Sequence, residues 1–409
     1  MYIAAMHTQD EQNLMCQSTT NQCVIGGIKC GKIYNASVIA VSSDCQSFSS
    51  ELYVDPVPCS PVGVQSQVSA NLVVASWMDM TGALDYMSNV TGSNGERYIC
   101  QTSNTSCAFE DLQCGHQYNM VIAGIGQHCN SNVSDTHTFQ TAPCVPQNVT
   151  AEVDCVTNVA GITWERSQGA NNYTALAVGA DGQYHLCYSS ETSCDISGLS
   201  CGQMYVVTIS ATNGESTSGP SLGVDLHTAP CIPVLDPPQI ICYNNSVSLS
   251  WSRTSGAISY ISNVTSPGVE SLFCQTEDTS CTIDNLKCGQ TYNVTVTAIN
   301  AQCSGPTTPP ATLITAPCQP QNVVTEMNCS DSEALLSWEA APGALSYLSV
   351  LRTHTHHYVV CNSTEIGCVI SSLPCGSVYD VIITSVNNQC ASKPSFPVEL
   401  YTGKLDFLL

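Results

Sequence analysis

Residues 203–210, QMYVVTIS, alternate along an extended chain: Tyr205, Val207 and Ile209 share one face and Val206 and Thr208 the other. Comparable short stretches surround them: GITWE with Trp164, NYTALAV, HLCYSS, TSCDISGL and SLGVDLHT. They are rich in Val, Ile, Thr and Tyr, and Gly, Asn, Ser and Pro punctuate them at short intervals. No 3.6-residue apolar stripe persists. The pattern predicts an all-β chain of antiparallel sandwiches, about seven strands to a unit.

The units repeat. The dipeptide Cys-Gly begins at Cys30, Cys114, Cys201, Cys288 and Cys375, in steps of 84, 87, 87 and 87. Two cysteines precede each at intervals of seven, giving Cys16/Cys23/Cys30, Cys100/Cys107/Cys114, Cys187/Cys194/Cys201, Cys274/Cys281/Cys288 and Cys361/Cys368/Cys375. Trp77, Trp164, Trp251 and Trp338 each stand 37 residues before a Cys-Gly, and Tyr2, Tyr86, Tyr173, Tyr260 and Tyr347 each stand 14 before a triplet. A period of 87 is too long for a solenoid and fits tandem whole domains. The predicted units are residues 1–57, 58–142, 143–229, 230–316 and 317–409. In the first unit the Trp position would fall before Met1, so only strands C to G are expected there. Its vacant A and B positions are expected to reflect a truncated gene model or a chain taken from a longer parent, the alternative being an open edge that another chain fills. For the same reason the lack of a signal peptide at the N-terminus carries no weight.

The residues carry a resemblance. Leu112-Gln-Cys114-Gly115-His-Gln-Tyr118 resembles the tyrosine corner of the fibronectin type III fold, with Cys at the family's usual Pro. The same spacing recurs at Leu199 and Tyr205, Leu286 and Tyr292, and Leu373 and Tyr379, and the first copy runs from Ile28 to Tyr34. The Trp on strand B and the Tyr on strand C complete the likeness, which extends over essentially the whole chain. It implies tandem, immunoglobulin-like, disulfide-rich sandwiches, five units with the first incomplete, and says little about function.

In this fold the start of strand A and the end of strand F share one pole, and the A–B and E–F turns share the other. Six-cysteine units are therefore expected to pair first with sixth (Cys231–Cys303, Cys318–Cys390) and second with fifth (Cys242–Cys288, Cys329–Cys375). Third with fourth would close a C′–E link (Cys274–Cys281, Cys361–Cys368, and likewise Cys16–Cys23). Unit two has Ala70 in its second slot and keeps Cys59–Cys129 and Cys100–Cys107. Unit three has Ser216 in its sixth and keeps Cys155–Cys201 and Cys187–Cys194. The two orphans, Cys114 and Cys144, meet at one joint and are expected to lock it, the other joints relying on packing. Cys30 and Cys45 are left without mates.

Composition sets the compartment. The chain has 26 cysteines but lacks the CxxC pairs of zinc sites, which points to an oxidising, extracellular setting with a disulfide framework. Nine basic against 32 acidic residues give a net charge of −23, which disfavours nucleic acid and anionic membrane surfaces. No apolar run approaches the ~20 residues of a membrane span.

Candidate chemistry is sparse. No catalytic constellation recurs among the units, so no enzyme, cofactor or catalytic residue is expected. His354-Thr-His356-His357 is the one metal-like tract, and a solvated strand edge accounts for it. Asn35 and Asn293 follow the corner tyrosine, and Asn89 and Asn263 lie three residues beyond the strand C tyrosine. All four lie in sequons on the outward side, where N-linked glycans are expected. The expected protein is secreted: a glycosylated rod or fibre of tandem domains, about 150 Å long, with a structural or adhesive role. Protein partners or head-to-tail self-association, with the apolar tail at 405–409 as the candidate contact, would follow from the vacant strands. The rival is a receptor ectodomain binding a soluble ligand at an inter-domain elbow.

Overall fold

The computed structural model describes residues 1–9, 13–55, 57–328, 333–354 and 358–403. Every regular element among them is a β-strand. Contacts divide the chain into two compact units. The first comprises Met1–Glu152, Ala160–Ile196 and Val206–Asp225, and the second Val153–Val159, Ser197–Tyr205 and Leu226–Leu409.

The repeat builds the same pair of sheets each time. In the second repeat strands A (Gln65–Val68), B (Val73–Ser76) and E (Ser106–Phe109) form one sheet, in that order. The other sheet has the order C′ (Arg97–Thr102), C (Asp85–Gly92), F (Gln117–Ile125), G (His137–Gln140). The fourth repeat has A (Gln239–Ile241), B (Ser246–Ser250) and E (Ser280–Ile283) beside C′ (Leu272–Thr276), C (Ser259–Thr265) and F (Thr291–Ile299), with strand G in two pieces, Ser304–Thr307 and Ala311–Ile314. The third and fifth repeats have the same two sheet orders.

Alternation explains the cores. On strand F of the fourth repeat, Tyr292, Val294, Val296 and Ala298 are each fully buried. Burying such a row of side chains contributes roughly 1.5–3 kcal/mol apiece for the larger ones. The strand B tryptophan packs on the strand C tyrosine, with ring centroids 5.5 Å apart for Trp77–Tyr86 and 5.6 Å for Trp251–Tyr260. The corner tyrosines close the E–F turns: Tyr118 Oη accepts the Gln113 N–H at 3.0 Å and Tyr292 Oη that of Lys287 at 3.0 Å.

The first repeat departs from the expectation of strands C to G. Strands C (Tyr2–His7), C′ (Asn13–Ser18), F (Tyr34–Ala40) and G (Ser50–Val54) form one sheet, but residues 19–33 form no strand E. Elsewhere strand E is hydrogen-bonded only to strand B, as Val73↔Phe109 to Ser76↔Ser106 show. With no strand B among the described residues of this repeat, that ladder has no template there. The inner face consequently opens: Tyr2 is 44% exposed where its counterpart Tyr86 is 2%.

Candidate functional site at the domain joints

The chemistry of this chain gathers where one sandwich ends and the next begins. Strand G pairs with strand F beside the E–F turn, as in Tyr292↔Leu313, so the residues leaving strand G run past the turn cysteine. At 228–231, 315–318 and 141–144 those residues read Thr-Ala-Pro-Cys. The threonine grips the turn. Thr315 Oγ1 donates to Lys287 O at 2.9 Å and accepts the Gln290 N–H at 2.9 Å, while the Gly289 N–H donates to Ala316 O at 2.8 Å. Thr228 repeats the pattern with Ser200 and Gln203, and Thr141 with Gln113 and His116. The threonines and alanines of the three segments are all buried, yet their polar groups are satisfied by these bonds.

Two asparagines complete the grip. Asn245, at φ 52° in the A–B turn, accepts the Ala316 N–H at 3.0 Å. Asn387, in the F–G turn of the next sandwich, donates to Thr315 O at 2.9 Å. Asn158 and Asn300 do the same for Ala229 and Thr228. Asp154 organises the turn that carries Asn158. Its carboxylate accepts the Val156 and Thr157 N–H groups at 2.9 Å each, and those bonds hold its pKa below the usual aspartate value.

The cysteines close the same joints. Cys30 pairs with Cys59, Cys114 with Cys144, Cys201 with Cys231 and Cys288 with Cys318, with Cα–Cα distances of 4.9, 4.9, 5.0 and 4.9 Å. Each links an E–F turn to the opening of the following sandwich. A second class, Cys155–Cys303 and Cys242–Cys390, joins an A–B turn to the F–G turn of the following sandwich across 148 residues. A third stays inside one sandwich: Cys16–Cys23, Cys100–Cys107, Cys187–Cys194, Cys274–Cys281 and Cys361–Cys368.

Several expected pairs are corrected by this. Cys59 is bonded to Cys30, so Cys59–Cys129 does not form and Cys129 is free and exposed. Cys155–Cys201, Cys231–Cys303, Cys242–Cys288 and Cys318–Cys390 are all replaced by bonds across joints. Cys375 is free and exposed, and its expected mate Cys329 lies outside the described residues. Cys45 is free and exposed, whereas Cys30 is not. The reason is the three-residue run from the end of strand G. It delivers the opening cysteine of one sandwich to the E–F turn of the last, closer than any cysteine of its own sandwich. The joint at Cys114–Cys144 is thus one of four so sealed, not the exception.

Glycine permits the close approach. A Cβ on Gly202 or Gly289 would fall within 3.0 Å of the backbone of Ser255 or Pro342, in the B–C turn of the following sandwich. Gly376 has the same left-handed backbone, φ 71° against 63° for Gly289, but among the described residues nothing lies within 4 Å of a Cβ placed there. Gly376→Ala should therefore cost only the backbone strain, about 1 kcal/mol. Gly289→Ala should cost several times as much, because the joint must also part. Thermal unfolding of the two variants checks this, and equal losses would contradict it.

Repeating two-sheet units with the Trp–Tyr pair and the bonded corner tyrosine decide the family. A fibronectin type III domain model matches residues 238–314. The chain folds as a tandem array of fibronectin type III sandwiches. It is 27% identical over 388 residues to Fibronectin type III domain-containing protein 7 of Mus musculus and, equally, of Homo sapiens, over 92% of this chain and 51% of each relative. Tenascin-R of Homo sapiens is 24% identical over 292 residues, 66% of this chain and 21% of that one. The chain spans about half the length of the first two relatives.

The remaining candidates occupy the outer faces of the fibronectin type III sheets. Asn293 is exposed beside Tyr292, while Asn35, Asn89 and Asn263 are half-buried on central strands. Asn35 Nδ2 donates to Glu51 Oε2 at 3.2 Å. His356 and His357 lie outside the described residues, as does the tail at 405–409. Among the described residues no three His, Cys, Asp or Glu side chains gather as a metal site, and no helix is long and apolar enough to cross a membrane. Sequence reasoning missed Asn158, Asn245, Asn300 and Asn387. Their signal was the repeat itself, since each pair is 87 residues apart.

Proposed function

We infer that the chain belongs to an extracellular, N-glycosylated structural or adhesive protein, in which tandem fibronectin type III domains are stapled into a rod. The observation that supports this reading is the double closure of the joints by buried Thr-Ala hydrogen bonds and by disulfides from an E–F turn to the next opening strand. A joint with so few residues and so many restraints has little freedom to hinge. Disulfides in this number are stable in oxidising compartments, which supports secretion. Glycans at Asn35, Asn89, Asn263 and Asn293 would cover a surface with few charges. No catalytic role is part of this reading.

Negative-stain images of the native protein test it. Straight particles of uniform length, or their end-to-end fibres, are the expected outcome. Particles bent at random angles would sink the rod. A second reading, a ligand-binding ectodomain, draws on a cleft of ≈ 440 Å³ lined by Met204, His227, Ile258 and Asn300 at the Cys201–Cys231 joint. Loss of ligand binding on Ile258→Arg, with unchanged particles in the images, would favour that reading.

A further inference from the structure

Four E–F turns of this chain receive an opening cysteine, and the fifth does not. At the four, the mate lies 29 or 30 residues downstream. Thirty residues beyond Cys375 the sequence has Leu405, and Thr402-Gly403-Lys404-Leu405 stands in place of Thr-Ala-Pro-Cys. The grip on the threonine is nevertheless intact. Thr402 is buried, its Oγ1 donates to Pro374 O at 2.6 Å, and it accepts the Ser377 N–H at 2.9 Å. The turn is therefore built as the others are, with an exposed thiol, and no described residue lies within 4 Å of a Cβ placed on Gly376.

That open space is the second observation that points to an occupant. At Gly115, Gly202 and Gly289 the same volume holds the B–C turn of the following sandwich, glycine against glycine: Gly169, Gly256 and Gly343. The backbone carbonyl next to that glycine accepts the N–H of the opening cysteine, as Ser255 O does for Cys231 at 3.2 Å and Pro342 O for Cys318 at 2.9 Å. One contact thus recognises two features of a partner, the cysteine that opens strand A and a B–C turn carrying glycine.

We propose that Cys375 and Gly376 form a covalent docking point for the opening end of another fibronectin type III domain of this cysteine-rich kind. The bond forms by thiol–disulfide exchange, the co-reactant being a small disulfide such as oxidised glutathione. The Cys375 thiolate attacks the mixed disulfide on the partner's opening cysteine, the Sγ–Sγ bond forms, and glutathione leaves as its thiolate. Cys45 and Cys129 do not compete for such a partner. They sit in F–G turns, where Cys303 and Cys390 take A–B-turn cysteines instead. The docking point is independent of whether the array serves as a rod or binds a ligand.

A chain beginning at residue 57 supplies the partner, because it opens with a complete sandwich, with its own buried cluster around Trp77 and Tyr118, and frees Cys59. In a glutathione redox buffer it should form ladders of covalent oligomers on a non-reducing gel, linked Cys375–Cys59 by mass spectrometry. Cys375→Ser or Cys59→Ser should abolish them, and Gly376→Ala should reduce them at least tenfold while leaving glutathione labelling of Cys375 unchanged. The full chain with Gly403→Ala, Lys404→Pro and Leu405→Cys should instead bond Cys375 to the new cysteine internally. Monomers with both thiols merely glutathionylated, linkage through Cys129, or failure of the restored segment to pair would each overturn the proposal.

Discussion

Cleaved at methionine by cyanogen bromide without reduction, the protein should yield one disulfide-linked assembly of residues 88–409 and a separate fragment of residues 16–78. The cut sites are Met15, Met78, Met80, Met87, Met120, Met204 and Met327, with two more nearer the N-terminus. Fragment 16–78 holds Cys16, Cys23, Cys30, Cys45 and Cys59, whose bonds Cys16–Cys23 and Cys30–Cys59 are both internal to it. The other large fragments are chained together: 88–120 to 121–204 by Cys114–Cys144, 121–204 to 205–327 by Cys155–Cys303 and Cys201–Cys231, and 205–327 to 328–409 by Cys242–Cys390. Pairing within each sandwich gives a different result. Cys59–Cys129 would tie 16–78 to 121–204, with 88–120 joined only if Cys114–Cys144 also forms, no bond would cross Met204, and residues 205–409 would separate as a second assembly. Mass spectrometry before and after reduction distinguishes the two outcomes, and a break at Met204 would refute bonding across the joints.

The fold was legible because its signals are local and repeated. Trp251 and Tyr260 share an alternating pattern with their strands, and the corner spacing from Leu286 to Tyr292 needs no distant partner. The seven-residue links were legible for the same reason, since C′ and E are close in sequence. Strand E of the first repeat was not, because a strand's existence depends on the neighbour it pairs with, and the described residues of that repeat hold no strand B. The longer disulfides failed for a related cause. Treating each sandwich as closed ignores that its poles lie against the next one.

A clue to the true pairing was nonetheless in the sequence. Ala70 in the A–B turn of the second repeat and Ser216 in the F–G turn of the third are the two gaps in the cysteine pattern. Pairing within a sandwich makes them two unrelated losses and leaves two orphans. Pairing across joints makes them the two halves of one absent bond, the counterpart of Cys155–Cys303 and Cys242–Cys390. The A–B turn in question is also shorter, spanning 69–72 between its strands where the third repeat has 154–159. A cysteine on the shorter turn has less reach, which fits the absence of both members of the pair.

Removing the bonds by paired Cys→Ser changes should destabilise the protein in the order of the loops they close. The chain-entropy account gives about 5 kcal/mol for a loop as long as the 148 residues between Cys155 and Cys303. It gives about 3.5 kcal/mol for the 30 residues between Cys201 and Cys231, and about 2 kcal/mol for the seven between Cys187 and Cys194. The other bridges shorten the effective circuit around Cys155–Cys303 but still leave roughly 100 residues in it, so its rank holds. Packing adds to the order rather than opposing it. Cys303 is 3% exposed and sits beside Asn300, which holds Thr228, so losing its bond also loosens the asparagine grip on that joint. Denaturant unfolding of the three double variants against the parent measures the ranking. Losses that are equal, or largest for Cys187–Cys194, would mean that the long bonds do not constrain the unfolded chain, and that the joints owe their closure to the buried Thr-Ala hydrogen bonds instead.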